Sequence, residues 1–208
     1  METRTVQRAY NFEIRAESDD KNGDHIVGRP IVYNSKTDLG WFDEVIERGA
    51  LDKANLKDVR FLVNHNTDMI PLARSRNNNA NSTMQLSVDD NGMSIRVNLD
   101  TENNSDARNL YSAIKRGDIT GMSFMFSIND EEWEELDTDH PTRHIREIGQ
   151  VLEVSAVTFP AYEDTEISAR DKEALDSAKA TLDSVRSSLD SELRALELEK
   201  AKNRNLFF

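Results

Sequence analysis

The chain contains no cysteine, so covalent catalysis would fall to a hydroxyl, a carboxylate or an amine, and thiol chemistry, disulfides and thiolate-held zinc are excluded. A serine or threonine becomes a strong nucleophile when a base takes its proton, and histidine suits that task near neutral pH. There are four histidines. His25 lies in a polar, turn-like stretch, and His140 and His144 flank an acidic run. His65 ends the apolar segment Phe61-Leu62-Val63-Asn64-His65-Asn66, on the face of Phe61 and Val63. A lone histidine where a strand leaves a core is structural more often than catalytic, so position alone leaves its role open.

Ser123 lies in Thr120-Gly121-Met122-Ser123-Phe124-Met125-Phe126. Alternation puts Met122, Phe124, Phe126 and Ile128 on one face and Ser123, Met125 and Ser127 on the other. The run has half of a Gly-x-Ser-x-Gly elbow, but the second glycine is missing and a strand pattern follows, which argues against an α/β-hydrolase. In Val151-Leu152-Glu153-Val154-Ser155-Ala156-Val157, Glu153 shares a face with Val151, Ser155 and Val157. A carboxylate there is costly to bury alone and needs a partner. A histidine in need of orientation fits, and so does a structural ion pair with Arg143 or Arg146. Ser155 and Ser127 are the other candidate nucleophiles. A metal-hydrolase reading would use Asp137, Asp139, His140 and His144, but Pro141 interrupts any helix that would align the two imidazoles.

The elements that must hold these residues are mostly strands. From Met1 to about Arg170, short alternating segments are separated by Asn, Asp and Gly, a β-rich signature. Tyr10, Phe12 and Ile14 alternate; further strands are expected over 26–33, 42–51, 59–65, 83–88, 93–99, 119–128 and 151–159. Asp89-Asp90-Asn91-Gly92 suits a tight hairpin turn. One helix is expected over 106–116, capped by Ser105 and ended by Gly117. The acidic stretch 129–141 reads as a solvated mobile loop, with Trp133 packing on the body as its commoner fate. From about Asp171 to Arg204 there is neither Gly nor Pro, and Leu175, Ala178, Leu182, Val185, Leu189 and Leu196 form a heptad-like stripe with a gap at Glu192. That predicts a long amphipathic helix with the apolar tip Leu206-Phe207-Phe208, either packed back on its own domain or used for docking and oligomerisation.

The 208 residues suit one domain plus a tail. A formal net charge of -13, from 39 acidic and 26 basic residues, repels a phosphate backbone, so nucleic acid is not an expected partner. No stretch has the length and apolarity of a membrane span or a secretory leader, so a soluble cytoplasmic protein without a membrane partner is expected.

Several segments together resemble HK97-type phage prohead proteases. They are Gly28 to Tyr33, Phe42 to Leu51, Asn64-His65-Asn66, Gly117-Asp118-Ile119-Thr120-Gly121-Met122-Ser123-Phe124 with Phe126, and Glu153-Val154-Ser155-Ala156-Val157 with Pro160-Ala161-Tyr162. Their joint order over roughly residues 10–165 carries the resemblance. It implies a fold similar to the herpesvirus capsid-maturation proteases: an α+β, β-rich domain over 1–170, built as a β-barrel surrounded by helices, with the helical tail at 171–208. It also implies a serine endopeptidase with His65 as base, Ser123 as nucleophile and Glu153 as third member, and with no cofactor and no metal. The implied substrates and partners are the major capsid protein, its scaffolding segment and the enzyme itself, acting as a homo-oligomer inside the assembling prohead in the host bacterial cytoplasm. The family strand often reads Ser-Ile/Val-Gly-Phe; Met125 stands at the place of that glycine, which implies a different substrate preference. A non-enzymatic scaffold acting through its C-terminal helix is the competing reading.

Overall fold

Alternating apolar residues and a few turn-forming sites account for most of the architecture. The computed structural model describes residues 4–10, 14–20, 23–158 and 165–205. In chain order the elements are β1 (Arg4–Tyr10), β2 (Ile14–Asp19), β3 (Gly23–Val32), β4 (Lys36–Asp38), β5 (Asp43–Ile46), β6 (Asp58–Val63), β7 (Ala73–Arg76), β8 (Met84–Asp89), β9 (Gly92–Asn98), α1 (Ser105–Arg116), β10 (Gly121–Glu134), β11 (Thr142–Val157) and α2 (Thr165–Asn205). The fold is mixed and sheet-rich, with two helices among the described residues.

One sheet runs β1-β10-β11-β5-β4, with β6 and then β7 added beside β11; the other runs β2-β3-β9-β8. Neither sheet closes on itself among the described residues, which corrects the expectation of a barrel. The long β11 explains this arrangement. Its first part, Thr142 to Ile145, pairs parallel with β5, and its last part, Glu153 to Ala156, pairs parallel with β6. One strand therefore serves two short partners on the same edge.

The expected apolar face of β10 is buried: Met122, Phe124, Phe126 and Ile128 join a core that also contains Ile26, Ile31, Val97, Leu110 and Ile114. The β8–β9 hairpin forms at the expected turn, with Asp89 opposite Gly92. Gly92 has φ 132°, and a Cβ there would fall 2.0 Å from the Ile31 carbonyl oxygen, so only glycine fits without moving β3. Helix α1 is also where the sequence places it, ended by Gly117 at φ 80°. Its cap is Asn104, not Ser105: the Asn104 side chain accepts from the Asp106 and Ala107 amides.

The stretch 129–141 differs from the expected loop. Strand β10 continues to Glu134 and β11 already begins at Thr142. Cross-strand charges make this possible, because Arg143 bonds Glu131, Arg146 pairs with Glu132 and His144 lies 3.2 Å from Glu134. Trp133 packs on the body, edge-on to Phe42 with centroids 4.8 Å apart, beneath the Arg143 guanidinium.

Helix α2 is anchored at Asp171 to Leu175, touches the body again where Lys179 donates to the Thr138 carbonyl and Arg186 faces Asp137, and exposes its apolar stripe further on. Asp171, Ala174 and Leu175 are buried, whereas Val185, Leu189, Leu193 and Leu196 are exposed. The apolar tip 206–208 lies outside the described residues. Among the described residues no helix is long and apolar enough to cross a membrane.

Candidate active site

The end of β6 delivers His65. Beyond Val63 the Asn64 amide continues the ladder to the Ala156 carbonyl at 3.0 Å. The chain then turns sharply, with φ 51° at Asn64 and 55° at His65. Asn and His are among the side chains that tolerate this left-handed region. Two anchors hold the turn. The Asn64 side chain exchanges hydrogen bonds with Thr158, accepting from its amide at 2.9 Å and donating to its hydroxyl at 2.9 Å, and the His65 amide donates to the Ser155 hydroxyl at 3.1 Å.

The turn points the imidazole at Glu153. His65 Nδ1 and Glu153 Oε1 are 2.5 Å apart, with the carboxylate 4% exposed. A carboxylate only accepts, so Nδ1 carries the proton and donates, which leaves the lone pair of the neutral ring on Nε2. Nε2 is buried and, among the described residues, has no hydrogen-bond partner. It is the ring nitrogen with a lone pair able to accept a proton.

Neither arginine considered as a partner for Glu153 reaches it. Arg143 is committed to Glu44 and Glu131, and Arg146 to Glu47 and Glu132. The partners of Glu153 are His65 through Oε1 and, through Oε2, the Ser155 hydroxyl at 2.6 Å.

Ser123 lies one strand away. In the β10–β11 register it is directly opposite Ser155, which is in turn opposite Leu62 of β6. Ser123, Ser155 and the end of β6 thus form a row across the sheet. Directly paired residues project to the same face, so Ser123 shares its face with Ser155 and Glu153. Its hydroxyl does not donate to His65 here: it is fully buried and donates to the Arg8 carbonyl of β1 at 2.7 Å. The structure therefore joins His65 to Glu153 and sets Ser123 beside them, with its proton held by the neighbouring strand.

Strand β1, like the short β4 and β7, is an element that sequence reasoning missed. It pairs antiparallel with β10 from Arg4–Ile128 to Tyr10–Met122. The Arg8 side chain is buried and bonds Glu44 at 2.5 and 2.8 Å and Asp171 of α2 at 2.9 Å. Burial pushes the Asp171 carboxyl up, against the pull of Arg8 in the other direction. Glu44 also lies 3.4 Å from the buried Arg143.

Of the other candidates, Ser155 lies within the site and the rest lie elsewhere. Ser127 is opposite Gln150, and the Ser155 proton is directed to Glu153. His140 lies 3.2 Å from Asp43, while His144 lies 3.1 Å from Glu47 and 3.2 Å from Glu134, so the two imidazoles serve different carboxylates.

Comparison with known proteins gives a consistent family. The profile of the caudovirus prohead serine proteases matches residues 10–179. The prohead protease of Enterobacteria phage HK97 is 29% identical over 160 residues, covering 76% of this chain and 64% of that protein; the chain thus spans a little under two thirds of that relative. The structure of the bacteriophage T4 capsid assembly protease aligns with 77% of this chain and 100% of its own, at 14% identity and a TM-score of 0.46.

Proposed function

Because the chain belongs to the caudovirus prohead serine protease family, we propose that it is a serine endopeptidase of capsid maturation, with Ser123 as nucleophile, His65 as general base and Glu153 as the group that orients the base. The observation that carries this assignment is the buried His65–Glu153 pair, whose Nε2 has no partner among the described residues, beside the strand row that sets Ser123 opposite Ser155.

The chemistry follows from the proton positions. Glu153 holds the Nδ1 proton, so Nε2 is the basic atom. For reaction, the Ser123 hydroxyl exchanges the Arg8 carbonyl for Nε2. Its oxygen then attacks a peptide carbonyl carbon as its proton passes to Nε2, and Glu153 stabilises the imidazolium. The proton moves on to the leaving amine, giving an acyl-enzyme. Water, deprotonated by the same Nε2, cleaves the ester and restores Ser123. No step needs a metal or cofactor. A fluorophosphonate mapped by mass spectrometry will label Ser123; a label on Ser127 or Ser155 would overturn the assignment.

The substrates proposed are the scaffolding segment at the N-terminus of the capsid protein and the enzyme itself, inside the assembling prohead in the host cytoplasm. The exposed stripe Val185, Leu189, Leu193 and Leu196 supports a docking role for the 171–208 tail, through capsid subunits or a second copy of the chain. Since Asp171, Ala174 and Leu175 are buried, the informative truncation lies after Leu182. Such a protein is expected to cleave a peptide substrate normally but to be depleted from proheads in sedimentation assays. Unchanged incorporation would remove the docking role.

A further inference from the structure

We infer that Ser155 is a positioning residue for the proton relay: its hydroxyl locks Glu153 and the backbone of His65 into one unit that keeps the imidazole aimed at the nucleophile. The inference rests on the proposed roles of Ser123, His65 and Glu153, and it adds a fourth side chain that the reading of the sequence had considered only as a competing nucleophile.

A serine hydroxyl has one proton to donate and lone pairs to accept with. Both functions of Ser155 are used in the fully buried interior of β11. It donates to Glu153 Oε2 at 2.6 Å and accepts from the His65 amide at 3.1 Å. Glu153 Oε1 then meets His65 Nδ1 at 2.5 Å. These three bonds close a ring from the His65 main chain through Ser155 and Glu153 back to the His65 side chain. The ring spans the torsions that set the direction of Nε2, the main-chain φ of 55° and the two side-chain torsions χ1 and χ2.

Each part of the ring answers a definite need. The left-handed backbone of His65 lies outside the broad minima of non-glycine residues, and its amide would lack an acceptor inside the fold without Ser155. The second oxygen of Glu153 would be a buried acceptor without a donor, at a cost of about 1–3 kcal/mol. Satisfied on both sides, the carboxylate cannot rotate away from the imidazole. The Ser155 proton points to Glu153 as the Ser123 proton points to the Arg8 carbonyl, but the Ser155 oxygen also accepts from the His65 amide, so freeing it would break two bonds of the ring.

The test uses the full-length protein and Ser155→Ala, a change of one oxygen atom at nearly constant volume. Expected are a fall in kcat of about 10–100-fold, as for other partners that orient a reacting group, a KM unchanged within about twofold, and retained fluorophosphonate labelling of Ser123. The downfield proton resonance of His65 Nδ1–H, assigned in 15N-labelled protein, should broaden or vanish. In a double-mutant cycle, Ser155→Ala added to Glu153→Gln should bring no further loss, because the ring that carries its effect is already broken at the Glu153 carboxylate. A kcat unchanged in Ser155→Ala, an unchanged Nδ1 proton signal, or full additivity with Glu153→Gln would overturn the inference while leaving the triad assignment standing. Wild-type labelling at Ser155 instead of Ser123 would overturn both.

Discussion

Ser123→Ala is expected to remove proteolysis, with kcat falling by about 10⁶-fold, the scale seen when the nucleophile of a serine protease is deleted. The fold should survive, because Ser123 supplies one hydrogen bond to a main-chain carbonyl. The loss of such a bond costs about 1 kcal/mol, set against the long β1–β10 ladder that remains. Co-expression with the capsid protein proposed as substrate, followed by intact-mass analysis, reads substrate cleavage and self-processing together. The wild type should yield shortened capsid protein and a shortened enzyme, and Ser123→Ala neither. Cleavage that persists in Ser123→Ala would end the assignment of the nucleophile. A purely scaffolding role predicts the same masses for both proteins.

The residues behind that expectation were unequally legible in the sequence. Strand alternation alone put Ser123 opposite the apolar face of β10 and put Glu153 and Ser155 on one face of β11, because a period of two is a local property. The hairpin at Asp89 to Gly92 and the helix ending at Gly117 were readable for the same reason. What could not be read was any burial that depends on distant partners. Arg8 lies in a polar N-terminal segment and is buried because Glu44 and Asp171 meet it, at sequence separations of 36 and 163. The acidic run after Ile128 looked like a solvated loop because its cations sit on the returning strand. Arg143, His144 and Arg146 on the returning strand were the available signal for that pairing. The two sheets were missed as such because β11 serves β5 and β6 in succession, a topology that no local pattern encodes. Alternation put His65 on the face of Phe61 and Val63, which pair with Val154 and Ala156 and not with Glu153 and Ser155; the positive φ that turns it towards Glu153 instead has no sequence mark beyond Asn64 itself.

Glu153→Gln carries the second large expected effect, a fall in kcat of about 10⁴-fold, comparable to the equivalent acid-to-amide change in other serine proteases. The direction follows from the way Ser155 is wired. Its hydroxyl proton needs an acceptor at the position of Glu153 Oε2, so the amide of a glutamine will place its oxygen there and its NH₂ towards His65 Nδ1. An NH₂ group donates, and Nδ1 must then accept. The imidazole proton is driven to Nε2, which can no longer take a proton from Ser123. The side chain is nearly isosteric and the sheet is unchanged, so KM should move little and the loss should appear in kcat. In nitrogen-edited spectra the His65 proton should shift from Nδ1 to Nε2. A glutamine variant that keeps the Nδ1 tautomer and near-normal kcat would mean that the carboxylate does not set the tautomer, and Glu153 would then be only a buried partner of the turn.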